Sequence, residues 1–373
     1  MIKYLVLKMI SEQRYILALS FIKGIGDSRI FFLINFFGSA QCVWEKSKQD
    51  LQVIKGIGPK SIQDIGKTKF LDLADQEIEF CKKYNIDILT IFDEDYPSLL
   101  KQCPDAPLVL YKKGNINFEK SKKIAVVGTR KMTNYGKLFI NELIESLQDF
   151  DITIVSGLAY GCDIYSHALA IKYNVPTWAV LAHHLNHIYP TQHRYLAEDM
   201  LENGGWISEQ PSFKSIQPKY FIQRNRIIAG LSDVTILVES AAHGGSLVTA
   251  KFANDYNRDV FALPGKMTDQ FSIGCNYLIK THQAYLIESS KDLIYHLDFM
   301  NNPKRTNQFA MFIDLDVEEQ KVFDYLQQNG KTHIDALAIS LQLLTYELMP
   351  ILLNLELKQV IKPLPGKYFD LYS

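Results

Sequence analysis

The chain has 373 residues, 47% of them hydrophobic, which supports a packed core and excludes global disorder. Forty Lys and Arg residues stand against 41 Asp and Glu, a formal net charge of -1 that argues against a basic tail or a strongly cationic surface but leaves a local nucleic-acid site open. The five cysteines (Cys42, Cys81, Cys103, Cys162 and Cys275) contain no CxxC pair, so neither a zinc ribbon nor a disulfide framework is expected, and a reducing cytoplasm fits.

The N-terminal stretch MIKYLVLKMISEQRYILALSF mixes charges into its apolar residues and offers no small-residue cleavage site, so it does not read as a signal peptide. No apolar run reaches the ~18 residues of a membrane helix, and no membrane insertion is expected. Residues 1–80 read as short helices interrupted by a repeated phrase, FIKGIGDSRI at 21–30 and VIKGIGPKSI at 53–62. Glycines one residue apart let the backbone turn tightly and present N–H groups before a helix begins, which suits a phosphate. The repeat predicts a tandem helix-hairpin-helix domain; a purely structural helical hairpin is the alternative. Residues 81–120 form a bridge with two strand-like runs and no evident chemistry.

From Lys122 the pattern changes. KKIAVVG, DITIVSG, PTWAVLA, DVTILVE and DVFALPG are short β-rich runs, most of them separated by stretches long enough for a helix. This rhythm predicts an α/β fold, a Rossmann-like doubly wound and mostly parallel sheet over residues 121–290. WISE (206–209) and AYLIE (284–288) are further strand candidates. Residues 291–313 read as a polar linker. Residues 314–373 give three helical runs and a strand-turn-strand, the pattern of a winged-helix-like domain. Its third helix, TYELMPILLNLELKQ, carries one basic residue, Lys358, which disfavours sequence-specific reading of a duplex; protein contact or packing and DNA contact both stay open as the role of this domain.

Ligands of doubly wound sheets sit at the carboxyl ends of the strands. Three segments place anion-binding groups there. AVVGTRKMTNYG puts Gly128, Thr129 and Arg130 at a strand end before a helix, and IQRNRIIAG carries Arg224, Asn225 and Arg226. ESAAHGGSLVTAKFA sets Gly245 and Ser246 at a helix mouth, with Lys251 in its early turns. Residues two apart on a helix diverge, so one of Arg224 and Arg226 can reach ligand while the other braces the loop. A nucleotide phosphate and a DNA phosphate fit these groups equally well. Other patterns carry less. GKT at 66–68 lacks the upstream glycine of a phosphate loop, since position 61 is Ser61. His183, His184, His187 and His193 have no HExxH frame, so neither a metal nor another cofactor is expected. No nucleophile, base and acid set assembles into a catalytic site.

In order, SGLAYGCDIYSHALA, IYP, ISEQP, IQRNRIIAGLSD, GGSLVTAKFA, DVFALPG and GCNYLIK resemble the DNA-processing protein A family (DprA, or Smf) over roughly residues 105–290. The resemblance implies a non-enzymatic protein that binds single-stranded DNA without strong sequence preference. It also implies protection of incoming strands during natural transformation, loading of a RecA-type recombinase, and action as a homodimer. A Rossmann-like enzyme or sensor for a small nucleotide is the alternative. Carried over by position, the DNA-binding set is Gly128, Thr129, Arg130, Tyr160, Gly161, Arg224, Asn225, Arg226, Gly245, Ser246 and Lys251. Two departures stand out. Tyr160 replaces the arginine of the family's SGLARG, exchanging a phosphate contact for a ring that can stack on a base at about 1–3 kcal/mol. His183 and His184 replace a glycine-containing turn.

Overall fold

The β-rich runs form the centre of a computed structural model that describes residues 12–52, 54, 56–297, 315–358, 360–364 and 366–371. The first eleven residues, Val53 and Lys55 of the second IKGIG phrase, and linker positions 298–313 lie outside the described residues. Two compact units are present, Met1–Asn301 and Asn302–Ser373.

The first unit begins with six helices: α1 (residues 12–20), α2 (Asp27–Phe37), α3 (Ala40–Glu45), α4 (Lys48–Gln52), α5 (Pro59–Asp64) and α6 (Thr68–Lys83). The two IKGIG phrases start α2 and α5, with Gly26 and Gly58 at the N-caps and with Gly24 and Gly56 at φ +88° and +89°. They interlock reciprocally. Ser61, three residues after Gly58, donates its hydroxyl to Lys23 O at 3.0 Å. Arg29, three residues after Gly26, lays its guanidinium over Gly56, where a Cβ would come within 2.4 Å of it. The repeat is thus a pair of equivalent turns, each covered by the other's helix.

Next come β1 (Asp87–Thr90), α7 (Ser98–Lys101) and β2 (Val109–Gly114), so the bridge supplies two strands of the main sheet. The alternating block follows: β3 (Lys122–Val127), α8 (Asn134–Leu147), β4 (Ile152–Ser156), α9 (Cys162–Lys172), β5 (Thr177–Val180), α10 (Arg194–Asp199) and β6 (Gly204–Ser208). It continues with α11 (Pro218–Leu231), β7 (Val234–Leu237), α12 (Gly245–Asp255), β8 (Asp259–Ala262), α13 (Ile273–Lys280), β9 (Tyr285–Leu286) and α14 (Ser290–His296). Strand order is β1-β2-β6-β5-β4-β3-β7-β8-β9. All pairings are parallel except β1 with β2 and β2 with β6. The expected doubly wound sheet is therefore present, WISE lies largely within β6, and AYLIE contributes only a two-residue strand.

Alternation builds the layers. Ile124 and Val126 of β3 face one core with Ile140, Leu143 and Leu147 of α8, while Ala125 and Val127 face the other with Ile227 and Ile228 of α11. A strand buried on both faces must be apolar throughout, which is why KKIAVV shows no polar alternation. The helical module shares the second of these cores, through Leu17, Leu33 and Trp44. α6 buries Phe70, Ala74 and Cys81 at helical spacing together with Glu77, whose carboxylate accepts the backbone N–H of Ser212 at 3.0 Å and the Ser212 hydroxyl at 2.5 Å.

The second unit holds α15 (Val317–Asn329), β10 (Thr332–His333), α16 (Ile334–Leu341), α17 (Thr345–Leu357), β11 (Ile361–Leu364) and β12 (Tyr368–Leu371), with sheet order β10-β12-β11. Val322, Leu326, Leu337, Leu352 and Ile361 form its own core. Three helices and a β-hairpin are the expected winged-helix pattern, to which β10 adds a short third strand. Among the described residues no single helix is long and apolar enough to cross a membrane.

Candidate nucleic-acid interface

The sheet changes winding direction between β3 and β7, and ligands of doubly wound folds bind at the carboxyl ends of such strands. The β3 loop carries Gly128, Thr129 and Arg130. A Cβ on Gly128 would stand 2.9 Å from Cys162 Cβ and 3.2 Å from Glu239 O, so glycine is what lets the ends of β3, β7 and α9 close together. The loop after β4 packs on the β3 loop, and the Cys162 N–H donates to Thr129 O at 3.2 Å. At Gly161 φ is +78°, and a Cβ would lie 2.4 Å from Thr129 O and 2.6 Å from Arg130 O. This contact holds Arg130 at the rim. Its side chain is exposed and makes no hydrogen bond or ion pair among the described residues.

Asp163 shapes the loop from beneath. One of its oxygens accepts the N–H groups of Gly157 at 3.1 Å and Ala159 at 3.3 Å, bracketing Leu158, whose φ is +58°. A left-handed residue with a side chain costs ~1–2 kcal/mol, and the two bonds offset it. Burial raises the Asp163 carboxyl above its usual range, while the nearby Arg224 guanidinium works in the opposite direction.

Arg224 is 5% exposed. Its Nη1 donates to Gly157 O at 2.6 Å and to Val180 O, tying the ends of β4 and β5, and its Nε donates to Asn225 Oδ1 at 3.2 Å. Burial lowers its pKa to about 10, with Asp163 opposing and Arg130 reinforcing the shift, so it stays charged at neutral pH. Arg226 points elsewhere, as its spacing from Arg224 requires. Its Nη1 donates to Asp105 O at 2.5 Å and its Nη2 pairs with Glu209. Both guanidiniums are therefore engaged within the protein, where sequence reasoning expected one to reach ligand.

The helix starts differ as well. At α8, Thr133 caps the Gly136 N–H and gives its own N–H and hydroxyl to the Glu239 carboxylate, at 2.8 and 2.5 Å. At α12 the N-cap is Gly244, which has no side chain to cap with, and the amides of Gly245 and Ser246 donate to no acceptor among the described residues. Space around Gly245 is open, with nothing within 4 Å of a Cβ. Asn225 reaches this turn through a bond from Nδ2 to Gly245 O at 3.4 Å. Ser246 is buried and turns its hydroxyl to Ser240 Oγ at 3.1 Å, while Lys251 is exposed farther along α12. The anion-binding amides expected at the start of α8 are thus better provided by α12.

Tyr160 is 45% exposed, donates its hydroxyl to Gln192 Oε1 at 3.0 Å, and packs against the His193 ring at 4.7 Å. His193 Nδ1 in turn donates to Leu158 O at 2.8 Å, so the aromatic rests on the strained loop. His183 is buried, which depresses its pKa to about 4, and burial lowers that of His184 too. The rings of His183, His184 and His187 lie 5.6 to 6.3 Å apart, and no group of three or more His, Cys, Asp or Glu among the described residues could hold a metal ion. Asp163 and Glu239 were missed from the sequence. Asp163 had a signal, a carboxylate in the first turn of a helix. Glu239 had none, because its partner Thr133 lies 106 positions away.

Residues 87–298 match the model of the family described as DNA recombination-mediator protein A, and residues 313–367 match the DprA winged helix domain. The chain belongs to the DNA recombination-mediator protein A (DprA) family. It is 37% identical to Protein Smf of Synechocystis over 292 residues, covering 77% of this chain and 73% of that protein. It is 38% identical to the DNA processing protein DprA of Bacillus subtilis over 230 residues, covering 61% and 75%. The X-ray structure of DprA from Streptococcus pneumoniae aligns with a TM-score of 0.65 at 30% identity, covering 76% of this chain and 97% of that one. DNA processing protein A from Helicobacter pylori, whose structure concerns its single-stranded DNA binding mode, aligns with a TM-score of 0.53 at 29% identity, covering 58% and 97%.

Proposed function

We propose that this chain binds single-stranded DNA along the carboxyl edge of its sheet, and that it does so without acting as an enzyme. The observation that carries the reading is Arg130, an exposed cation with no internal partner, held by the Gly161 contact on the loop beside the switch point. The α12 amides of Gly245 and Ser246 supply a second phosphate anchor and Lys251 a peripheral charge. Thr129 and Gly128 set the loop, and Tyr160 offers a face for a base. Arg224, Asn225 and Arg226 hold the loops in register. The proposal extends to protection of incoming strands in transformation, to loading of a RecA-type recombinase, and to a homodimer in which two sites on one strand raise effective concentration. The H. pylori relative's single-stranded DNA binding and the family membership support it.

Fluorescence anisotropy against labelled oligo-dT and a matched duplex, across a salt series, tests the site. The single strand is preferred, affinity falls steeply with salt, and Arg130→Ala weakens binding while reducing the salt slope by about 0.7, one phosphate's share on a single strand. An unchanged slope in Arg130→Ala, with folding intact, removes Arg130 from the interface. Light scattering reports the dimer, and recombinase filament formation on strands coated with single-strand-binding protein reports loading.

A further inference from the structure

The aromatic side chains of the helical module are not all in its core. Phe32 and Phe36, one turn apart on α2, are 50% and 65% exposed and stack on each other with ring centres 5.9 Å apart. Phe31, next to them on α2, stacks at 5.3 Å on Phe92, which follows β1, and both of these rings are exposed. Phe36 also packs edge-on against the half-buried Phe37 at 5.0 Å. Exposed phenylalanines scattered singly need no explanation, but two stacked pairs on one helix and the loop beside it form an apolar patch of the kind that marks an interaction surface.

Charge at the rim narrows what can cover it. Phe92 opens an acidic run: Asp93 accepts the Thr90 N–H at 2.6 Å, while Glu94 and Asp95 are exposed with no hydrogen bond or ion pair among the described residues. At the other end of α2, Lys46 lies 5.2 Å from the centre of the Phe37 ring. A DNA strand on the Phe31–Phe92 pair would set its phosphates against the carboxylates, and a second copy joined about Phe92 would set two acidic runs together. The complementary occupant is an apolar segment that carries lysines.

We propose that residues 1–11, MIKYLVLKMIS, are that occupant and cover the patch in the folded chain. Eight of the eleven are apolar, two are the lysines Lys3 and Lys8, and none is acidic, so the segment has both apolar surface to bury and the charge that the rim lacks. The described chain takes up where such docking requires. Glu12 Oε1 accepts the Ala40 N–H at 2.6 Å, just past the end of α2, and Gln13 Nε2 donates to Ile88 O at 3.0 Å, in the strand that leads to Phe92. Residue 12 therefore stands between the two elements that carry the rings. The helix α2 is about 16 Å long, and eleven residues span from about 16 Å as a helix to about 36 Å fully extended, so the segment reaches along the whole patch.

The test is limited trypsin digestion of the full chain, with cleavage after Lys3 and Lys8 followed by mass spectrometry. Cleavage of a folded chain tracks the population in which the segment is undocked. The double variant Phe32→Ser, Phe36→Ser speeds cleavage at both lysines by about tenfold or more with an unchanged melting temperature, and Glu94→Lys with Asp95→Lys speeds it too. Should the phenylalanine variant fail to fold, the charge variant carries the test, since both of its positions are exposed. Parent cleavage as fast as that of a synthetic peptide of residues 1–11, or an unchanged rate in a folded variant of either kind, overturns the proposal. Protection that rises with protein concentration also overturns it, because the cover then comes from a second copy.

Discussion

Arg224→Ala separates a residue that holds the site from one that touches the strand. The guanidinium bonds Gly157 O and Val180 O, lies over Gly157 where no Cβ fits, and lowers the cost of burying the Asp163 carboxylate. Hydrogen bonds from a charged group contribute ~1.5–3 kcal/mol each, and removing one partner of a buried charge pair costs ~3–5 kcal/mol. These terms overlap, because Arg224 and Asp163 attract each other without a direct ion pair and both bond Gly157, so the expected loss is about 4 kcal/mol. For a unit of this size each kcal/mol moves the midpoint ~2–4 °C, which puts the fall in melting temperature at roughly 10 °C. Arg224→Lys keeps the charge but cannot reach both carbonyls in one plane, and falls between. Pairing Arg224→Ala with Asp163→Asn closes a double-mutant cycle with a coupling of about 1–3 kcal/mol. Thermal denaturation and urea titration read stability, and oligo-dT anisotropy well below the midpoint reads binding. An Arg224→Ala protein that melts like the parent yet no longer binds oligo-dT would refute this reasoning and make the guanidinium a direct phosphate ligand.

Other perturbations have comparably definite outcomes. Gly161→Ala drives a Cβ into Thr129 O and Arg130 O from a left-handed backbone; about 2–4 kcal/mol of stability is lost and oligo-dT affinity falls, as urea melts and anisotropy would show. Ser212→Ala leaves the buried Glu77 carboxylate one donor short and lowers the urea midpoint by an amount equivalent to about 1–3 kcal/mol. His167 is fully buried, which depresses its pKa to about 3, so below the unfolded value of 6.5 the unfolded chain takes up a proton that the folded chain refuses. Its neutral form supports the fold fully above pH 6.5, and that support erodes as pH falls toward 3, by about 2 kcal/mol at pH 5. His167→Gln, which keeps a donor for Thr177 Oγ1, flattens that part of the pH–stability curve in urea melts at pH 5 and 7.5.

Periodicity made the sheet legible because every central strand is buried on both faces, and such strands announce themselves as runs like KKIAVV and DVTILV. It could not show that the bridge's strand-like runs join this sheet, β2 by pairing with β6 across roughly a hundred residues and β1 by pairing with β2, in a register that no local pattern encodes. The interlock of the two IKGIG turns was half visible. The repeat was plain, but Ser61 and Arg29 meeting the opposite glycine is a property of the folded pair. At the candidate site, residue type picked out loops that the fold brings to the carboxyl edge of the sheet, but not that the Arg224 and Arg226 guanidiniums are engaged within the protein. An arginine next to an asparagine at the sheet edge reads the same whether its guanidinium faces solvent or a carbonyl, and only the burial of Arg224 tells the two apart.

That division among the cations bears on how a chain with a net charge of -1 can present a DNA site at all. Arg224 and Arg226 are engaged with carbonyl oxygens and a carboxylate, and Glu239 and Asp163 satisfy the amides and hydroxyl that would otherwise compete for phosphate at α8 and the β4 loop. Groups that face outward include Arg130, Lys251 and the uncapped start of α12, with no acidic partner among the described residues. Screening over ~8–10 Å means that a phosphate at the rim responds to these groups and little to the distant excess of carboxylates. Raising the overall charge with lysines remote from this edge should therefore leave the salt slope of oligo-dT binding nearly unchanged, whereas Arg130→Gln alone should lower it. A slope that instead followed net charge, whatever the position of the added lysines, would mean that binding is diffuse and that the loop geometry described for Arg130 is incidental to it.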